Sequence, residues 1–204
     1  MDVAVAALGQ RPYQDISVVY LAEQLELSKS TLYLYFTTKE ALYTEIVIEH
    51  HQRWSLSFED ALLDQEAPTS PRVVAALMTA TLLEHDPLAQ LLTLLHQDIE
   101  HALSVEQAMH LRRRLRDDLL PLSEHLERLL PSLSMGDGFR FLICAHALIC
   151  GLWPLAHPAP NVTRTLDALD LSMFRMDFAG ELHRAMVHML QGWGAPTPAA
   201  EPEV

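Results

Sequence analysis

The sequence predicts an all-α protein, with an N-terminal three-helix domain and a larger C-terminal helical domain. Half of the 204 residues are apolar and only 7 are glycine, a composition typical of helical proteins. Capping residues and prolines separate segments whose apolar residues follow helical spacing, and no segment alternates apolar and polar residues over the length of a strand. We divide the chain into residues 1–47, residues 48–193 and a tail, 194–204, which we expect to be disordered.

Three helices are predicted in the first domain, and a fourth follows them. The first begins near Met1 and ends near Leu8, because Gly9 lies at its end. Ser17 and Ser28 are good N-caps for the second and third helices. The fourth helix begins at residue 37 or 38 and extends past residue 54. The apolar residues at helical spacing in the second and third helices are Val18, Leu21, Ala22, Leu25, Leu32 and Phe36.

The same signals divide the second domain. Ser70 followed by Pro71 begins one helix, and Ser104 with Gln107 resembles a capping box that begins another. Pro121 is expected to kink or split that long helix. The predicted helices cover residues 71–83, 88–96, 104–130, 137–154 and 165–192.

Residues 17–42 have the pattern of a helix-turn-helix. Leu21 and Leu25 on one helix face Leu32 on the next across a short turn, and Ala22 is small where two helices cross closely. In this motif the polar N-terminal side chains of the second helix enter the major groove of DNA. The segment therefore predicts a DNA-binding element.

This segment resembles the TetR family of transcriptional repressors. The resemblance covers residues 5–47, and its core is LSKSTLYLYF over residues 27–36, followed by TKEAL over residues 38–42. It implies a regulator that binds a palindromic operator in double-stranded DNA as a homodimer. It also implies that a small molecule bound in the C-terminal domain changes the separation of the two recognition helices.

The resemblance assigns roles to individual residues. It implies that phosphates are contacted by Ser17, Tyr33 and Lys39, although the serine also serves as a cap and the tyrosine also suits a packing role. Lys29 and Lys39 are the chain's two lysines, which favours a functional role for both. The base-reading residues that it implies are Lys29, Ser30, Thr31 and Tyr35.

The charge of the chain opposes strong DNA binding. The net charge is −13, and residues 1–47 hold three basic and six acidic residues without a basic arm before the first helix. Such a domain is expected to show weak non-specific affinity and a shallow salt dependence. Either the chain begins upstream of Met1, or binding uses dipoles, hydroxyls and a few lysines, or DNA binding is poor. Glu26 occupies a turn position usually held by glycine, so it adopts a left-handed conformation or the turn differs.

The last two long helices are predicted to form the dimer interface. The helix over residues 138–153 is apolar on all sides and must be covered on all sides. The resemblance implies that it pairs, with the final helix, with its twofold mates in a four-helix bundle; the alternative is an unusually large core within one chain. The predicted interface residues are Phe141, Ala145, Leu148, Leu152, Phe178, Leu182, Met186 and Met189.

An effector pocket is expected among the helices between residues 73 and 153. Its methionine, leucine and tryptophan residues indicate an apolar or aromatic effector, although most of them also suit a plain core. The predicted lining residues are Met78, Leu82, Leu92, Leu95, Met109, Leu115 and Trp153.

Other function classes are disfavoured. The eleven histidines show no spacing typical of metal ligands, so we expect neither a metal nor another cofactor. There is no glycine-rich phosphate loop and no nucleophile with a base at a recognisable spacing, so we expect no enzyme. The apolar run 141–156 is too short for a membrane span and carries His146, and no secretory signal is present, so we expect a cytoplasmic protein. A helical ligand-binding protein that has lost operator binding is the alternative hypothesis.

Overall fold

The computed structural model describes residues 2–168 and 170–193, and within them the chain forms helices and no strands, which confirms the all-α prediction. Met1 and the predicted disordered tail lie outside the described residues. The α-helices are α1 (Asp2–Leu8), α2 (Val18–Gln24), α3 (Lys29–Tyr35), α4 (Lys39–Leu63), α5 (Pro71–Glu84), α6 (Pro87–Leu94), α7 (Val105–Leu129), α8 (Asp137–Ala156), α9 (Pro160–Thr165) and α10 (Phe178–Trp193).

Side-chain caps fix the beginnings of the N-terminal helices. Ser17 Oγ accepts a hydrogen bond from the Tyr20 amide at 3.1 Å, and Thr38 Oγ1 accepts one from the Ala41 amide at 3.1 Å. These bonds satisfy amides that have no partner inside their own helices. The beginnings of α2 and α4, the helices on either side of α3, are therefore fixed by the caps that the sequence predicts.

Helix α4 joins the two halves of the molecule. Near its start, Tyr43 Oη donates a buried hydrogen bond of 2.7 Å to the Ala4 carbonyl of α1. Further along, Trp54, Phe58 and Leu62 are buried in the core of the C-terminal half. Since one rigid helix belongs to both cores, a displacement of α4 in the C-terminal half also moves the helix-turn-helix.

Polar pairs along α4 and α7 hold these two helices in register. They are Glu45–His110 at 3.3 Å, His51–Asp118 at 2.8 Å, Gln52–Arg114 at 3.3 Å and Glu59–His125 at 3.2 Å. Most of these side chains are at least partly exposed, whereas the His51 ring is fully buried. The buried pair is therefore the one whose loss is expected to cost most.

Two prolines interrupt their helices less than the sequence predicts. Helix α7 is not split at Pro121, and α8 continues through Pro154 to Ala156. A proline removes one backbone hydrogen bond, and packing offsets this loss in α7, where Leu119 and Leu122 on either side of Pro121 are buried.

The predicted helix over residues 165–192 is wrong in its first half. The chain instead forms the short helix α9, a loop with a 3₁₀ turn over Ser172–Phe174, and then α10. The Arg175 guanidinium donates to the Leu166 carbonyl at 3.2 Å and to Asp167 at 2.6 Å, which closes the loop on itself.

Helix α6 also ends differently from the prediction. At Leu95 it passes into a π-helical turn, Leu95–Ile99, and then into a 3₁₀ turn, Glu100–Ala102. Single π turns often occur at functional sites. In this one Asp98 accepts a hydrogen bond of 3.0 Å from Gln14 in the N-terminal half.

Candidate functional site

The turn between α2 and α3 is a Schellman motif with Glu26 at its left-handed position. Glu26 has φ = 55°, the Leu27 amide donates to the Ala22 carbonyl at 2.9 Å, and the Glu26 amide donates to the Glu23 carbonyl at 3.2 Å. Glutamate rather than glycine thus occupies the left-handed position, on which the angle between the two helices depends.

Replacing Glu26 by glycine is expected to raise the free energy of unfolding by about 1 kcal/mol, because glycine adopts a positive φ without steric strain. The same change removes a negative charge close to α3 and is expected to strengthen DNA binding as well. Urea unfolding and operator titration measure the two effects. Glu26→Gln is the control, and it should strengthen DNA binding but leave stability nearly unchanged. Equal stabilisation by both variants would show that the left-handed backbone at Glu26 is not strained.

Most of helix α3 is exposed and carries polar and aromatic side chains, and only a small part of it is buried. Leu32 is buried, whereas Lys29 and Ser30 are exposed and Tyr35 is 76% exposed. Tyr33 is also exposed, and Ser17 lies on the same part of the molecule at the start of α2. The side chains of α3 that suit contacts to base edges and phosphates are therefore exposed, although the Ser30 hydroxyl lies 2.8 Å from that of Ser28.

The third predicted base-reading side chain is less accessible. Thr31 is half-buried, and its hydroxyl lies 2.7 Å from that of Ser28, the N-cap of α3. The sequence-based prediction also omitted Leu34, which is 83% exposed on α3. An exposed leucine on such a helix suits contact with a thymine methyl group. It was missed because the helical pattern alone does not separate it from a packing residue.

Lys39 already has partners within the protein. Its Nζ donates to the Tyr13 carbonyl at 2.8 Å and to the Gln14 carbonyl at 3.4 Å, and it lies 4.1 Å from the centre of the Tyr13 ring. The ammonium group thus ties the start of α4 to the chain before α2. If Lys39 also contacts a phosphate, as predicted, the phosphate shares the ammonium group with the Tyr13 and Gln14 carbonyls.

Comparisons with known proteins agree with this arrangement. A family model described as bacterial regulatory proteins of the tetR family matches residues 1–46, and a model of the tetracyclin repressor-like C-terminal domain matches residues 49–197. The chain belongs to the TetR family of transcriptional regulators. Members of this family bind DNA, and α2 and α3 lie within the residues that match its N-terminal model.

Solved structures show the same fold. The fatty acid degradation regulator FadR from Bacillus halodurans is 16% identical, with a TM-score of 0.57 and 91% of each chain covered. A TerR/AcrR family transcriptional regulator from Aquifex aeolicus VF5 is 17% identical, with a TM-score of 0.52 and coverage of 93% of this chain and 94% of that chain. No curated protein sequence matches this chain.

The interface predicted for this TetR-family chain needs correction, because several of its residues face the interior of the same chain. Leu148, Leu152 and Met189 are only partly buried and stay candidates. The outward face of α8 consists instead of Ile143, Cys144, Ala147, Gly151 and Leu155. The predicted interface residues that are buried in the chain's own core are Phe141, Ala145, Phe178, Leu182 and Met186.

The predicted effector pocket is also corrected in part. Met109 is exposed, and Trp153 lines a crevice with Arg11 and Gln14 at the junction with the N-terminal half. Among the described residues, no group of three side chains is arranged to hold a metal ion. The predicted lining residues that are buried in the core are Met78, Leu82, Leu92, Leu95 and Leu115.

A buried polar cluster lies beside this core and was not predicted. His51 and Trp54 of α4 and His146 of α8 have their ring centres 5.3 to 6.5 Å apart. Nδ1 of His51 is 2.8 Å from Oδ2 of Asp118, so a carboxylate, which only accepts, places the proton on Nδ1. His51 Nε2, Trp54 Nε1 and His146 Nε2 have no hydrogen-bond partner among the described residues.

His146 makes the stability of the protein depend on pH. Burial lowers its pKa well below the usual value, and the nearby His51, His96 and Arg112 lower it further. Below pH about 6.5 His146 of the unfolded chain binds a proton that the folded chain does not, so the contribution of His146 to stability falls as the pH drops below this value and does not change above it.

Replacing His146 by leucine is expected to flatten this pH dependence. Between pH 6 and 5 the parent should lose up to about 1.4 kcal/mol more stability per pH unit than His146→Leu, which corresponds to one proton. Urea unfolding at each pH measures the difference. A parallel pH dependence of parent and variant would show that His146 is protonated in the folded protein, contrary to its burial.

Proposed function

We propose that this chain is a repressor that binds a palindromic operator as a homodimer and releases it when a small effector binds the C-terminal domain. The observation that carries this proposal is the exposed face of α3, where Lys29, Ser30, Tyr33, Leu34 and Tyr35 project from a helix held by the Ser28 cap and the Schellman turn. A rigid helix with free polar and aromatic side chains suits the major groove. No catalytic activity is proposed.

The outward face of α8 supports the homodimer. Within the described residues, α8 is the one helix long and apolar enough to cross a membrane by length and composition alone. Only 28% of this apolar window is buried inside the chain, and Ile143 and Leu155 are 46% and 57% exposed. Apolar surface of this extent marks an interaction site, and we assign it to the same face of a second copy in the cytoplasm.

Contacts between the two halves offer a route for the effector's action. Gln14 donates to Asp98 in the π-helical turn, while its carbonyl accepts from Lys39 at the first residue of α4. A shift of the π-helical turn or of α4 would therefore reach the segment that precedes α2. We propose that effector binding moves the two α3 helices of the dimer out of register with successive major grooves.

The second candidate function is a ligand-binding protein with the same fold but without an operator. The observation that favours it is the excess of acidic residues in residues 1–47, which contain six acidic and three basic residues. Such a domain gains little affinity from counterion release.

Selection of binding sites from random duplex DNA, at low and at physiological salt, distinguishes the two functions. Repressor function predicts recovery of a palindrome whose half-sites lie about one helical turn or more apart. Failure to enrich any sequence at both salt concentrations contradicts it and favours the protein without an operator.

A further inference from the structure

The buried cluster of His51, Trp54 and His146 is a polar site within an apolar core. The three side chains are 0%, 1% and 8% exposed, and each carries a ring nitrogen without a hydrogen-bond partner among the described residues. Leaving a buried polar group without a partner is costly. Three such groups so close together indicate a place where a ligand supplies the missing bonds.

We propose that the effector is an uncharged, largely apolar molecule whose hydroxyl group binds between these three rings. This inference rests on the function proposed above and assigns its effector site. It places the polar end of the effector on α4 and α8, beside the apolar core in which the pocket was predicted.

The chemistry of the three nitrogens selects a hydroxyl. Trp54 Nε1–H only donates, so the ligand must offer an acceptor. Nδ1 of His51 donates to Asp118, so in the Nδ1–H tautomer of the ring Nε2 is an acceptor, and the ligand must then also offer a donor. A hydroxyl oxygen does both, and neutral His146 adds a further partner of either kind.

The charges around the cluster disfavour an ionised ligand. A carboxylate would meet Asp118, which is 9% exposed and already bound to His51. The side chains whose charges lower the pKa of His146 are His51, His96 and Arg112. Arg112 lies 2.5 Å from Glu100 and His51 lies 2.8 Å from Asp118, so an anionic ligand would join two carboxylates that are already there.

The surroundings suit an apolar ring or chain on the hydroxyl. Trp54 stacks on Phe58 at 5.7 Å, and Leu115 of α7 and Ile149 of α8 are buried in the same core. Because His51 and Trp54 belong to α4, a ligand that separates the rings displaces the helix that carries the helix-turn-helix. Binding at this site is thereby connected to α3.

The test compares phenol, toluene and benzoate, which share one ring and differ in the polar group. Calorimetric titration of the full chain at pH 7.5 is expected to show saturable binding of phenol, with toluene and benzoate at least about tenfold weaker. Trp54→Phe, which removes the N–H and keeps an aromatic ring, should weaken phenol binding by about tenfold. His146→Phe should also weaken phenol binding. Trp153→Phe is the matched control, because it removes an indole from the crevice beside the N-terminal half, and it should bind phenol like the parent.

Equal affinity for phenol and toluene, absence of saturable phenol binding, or unchanged phenol binding by a folded Trp54→Phe variant would overturn the proposal. Tighter binding of benzoate than of phenol would show that the cluster is an anion site instead. Operator selection without added ligand separates this inference from the proposed function. A protein that selects a palindrome and ignores phenol contradicts the effector site alone, whereas one that binds phenol and selects no duplex contradicts the repressor alone.

Discussion

Replacing Ile143 by glutamate is expected to convert the protein to monomers and to weaken operator binding by at least about 100-fold. Ile143 is 46% exposed at the outward face of α8, so glutamate is solvated in the free chain and the fold should persist. In the proposed dimer the same carboxylate would be buried in an apolar interface, close to that of the second copy, which costs several kcal/mol. A monomer binds one half-site and loses the effective concentration that links two half-sites, a factor of about 10²–10⁴. Sedimentation and operator titration measure the two losses.

Leu120→Glu is the matched control for this variant. Leu120 is 45% exposed, nearly the same as Ile143, and belongs to α7, which is not part of the proposed interface. It should stay dimeric and bind the operator like the parent. If Ile143→Glu also stayed dimeric, the interface would lie on another surface of the molecule.

Replacing Lys29 by alanine is expected to weaken operator binding by at least about 30-fold without changing the melting temperature. Lys29 is the first residue of α3 and is exposed, so its removal is expected to leave the fold unchanged. Each contact of this kind contributes about 1–3 kcal/mol, and the dimer loses it in both half-sites. Fluorescence anisotropy with a labelled operator gives the affinity.

Arg128→Ala separates a specific contact from the loss of positive charge. Arg128 is exposed near the end of α7, in the half of the molecule that does not carry α3. Arg128→Ala removes one positive charge, as Lys29→Ala does. It should change operator affinity by less than about twofold at physiological salt, where charges more than about 8 Å from the DNA are screened. An equal loss in both variants would show that Lys29 acts through net charge only.

Local signals in the sequence predicted several helix beginnings and the helix-turn-helix well. Ser17, Ser28, Ser70 and the pair Ser104–Gln107 were predicted as caps, and each makes the expected hydrogen bond in the structure. These bonds span three residues and need nothing from the rest of the chain. The run over residues 27–42 is also local, so its helix-turn-helix was recognisable without tertiary information.

Features that depend on tertiary packing were predicted poorly. Met173 and Phe174 were expected inside a long final helix, yet they are 80% and 66% exposed in a loop. Because α8 is apolar on all sides, its pattern does not show which side meets the chain's own core, and Phe141 and Ala145 were assigned to the wrong side. His51 and His146 are distant in sequence, and only the tertiary fold brings their rings together.

Operator binding by two copies of the chain is the central claim, and a comparison of two duplexes tests it most directly. The first is the palindrome recovered by selection, and the second has one half-site scrambled while length and composition are kept. Two chains are expected to bind the intact palindrome, and scrambling one half-site is expected to weaken binding by at least about 100-fold. Equal affinity for the two duplexes, or a complex with one chain on the intact palindrome, would contradict this claim.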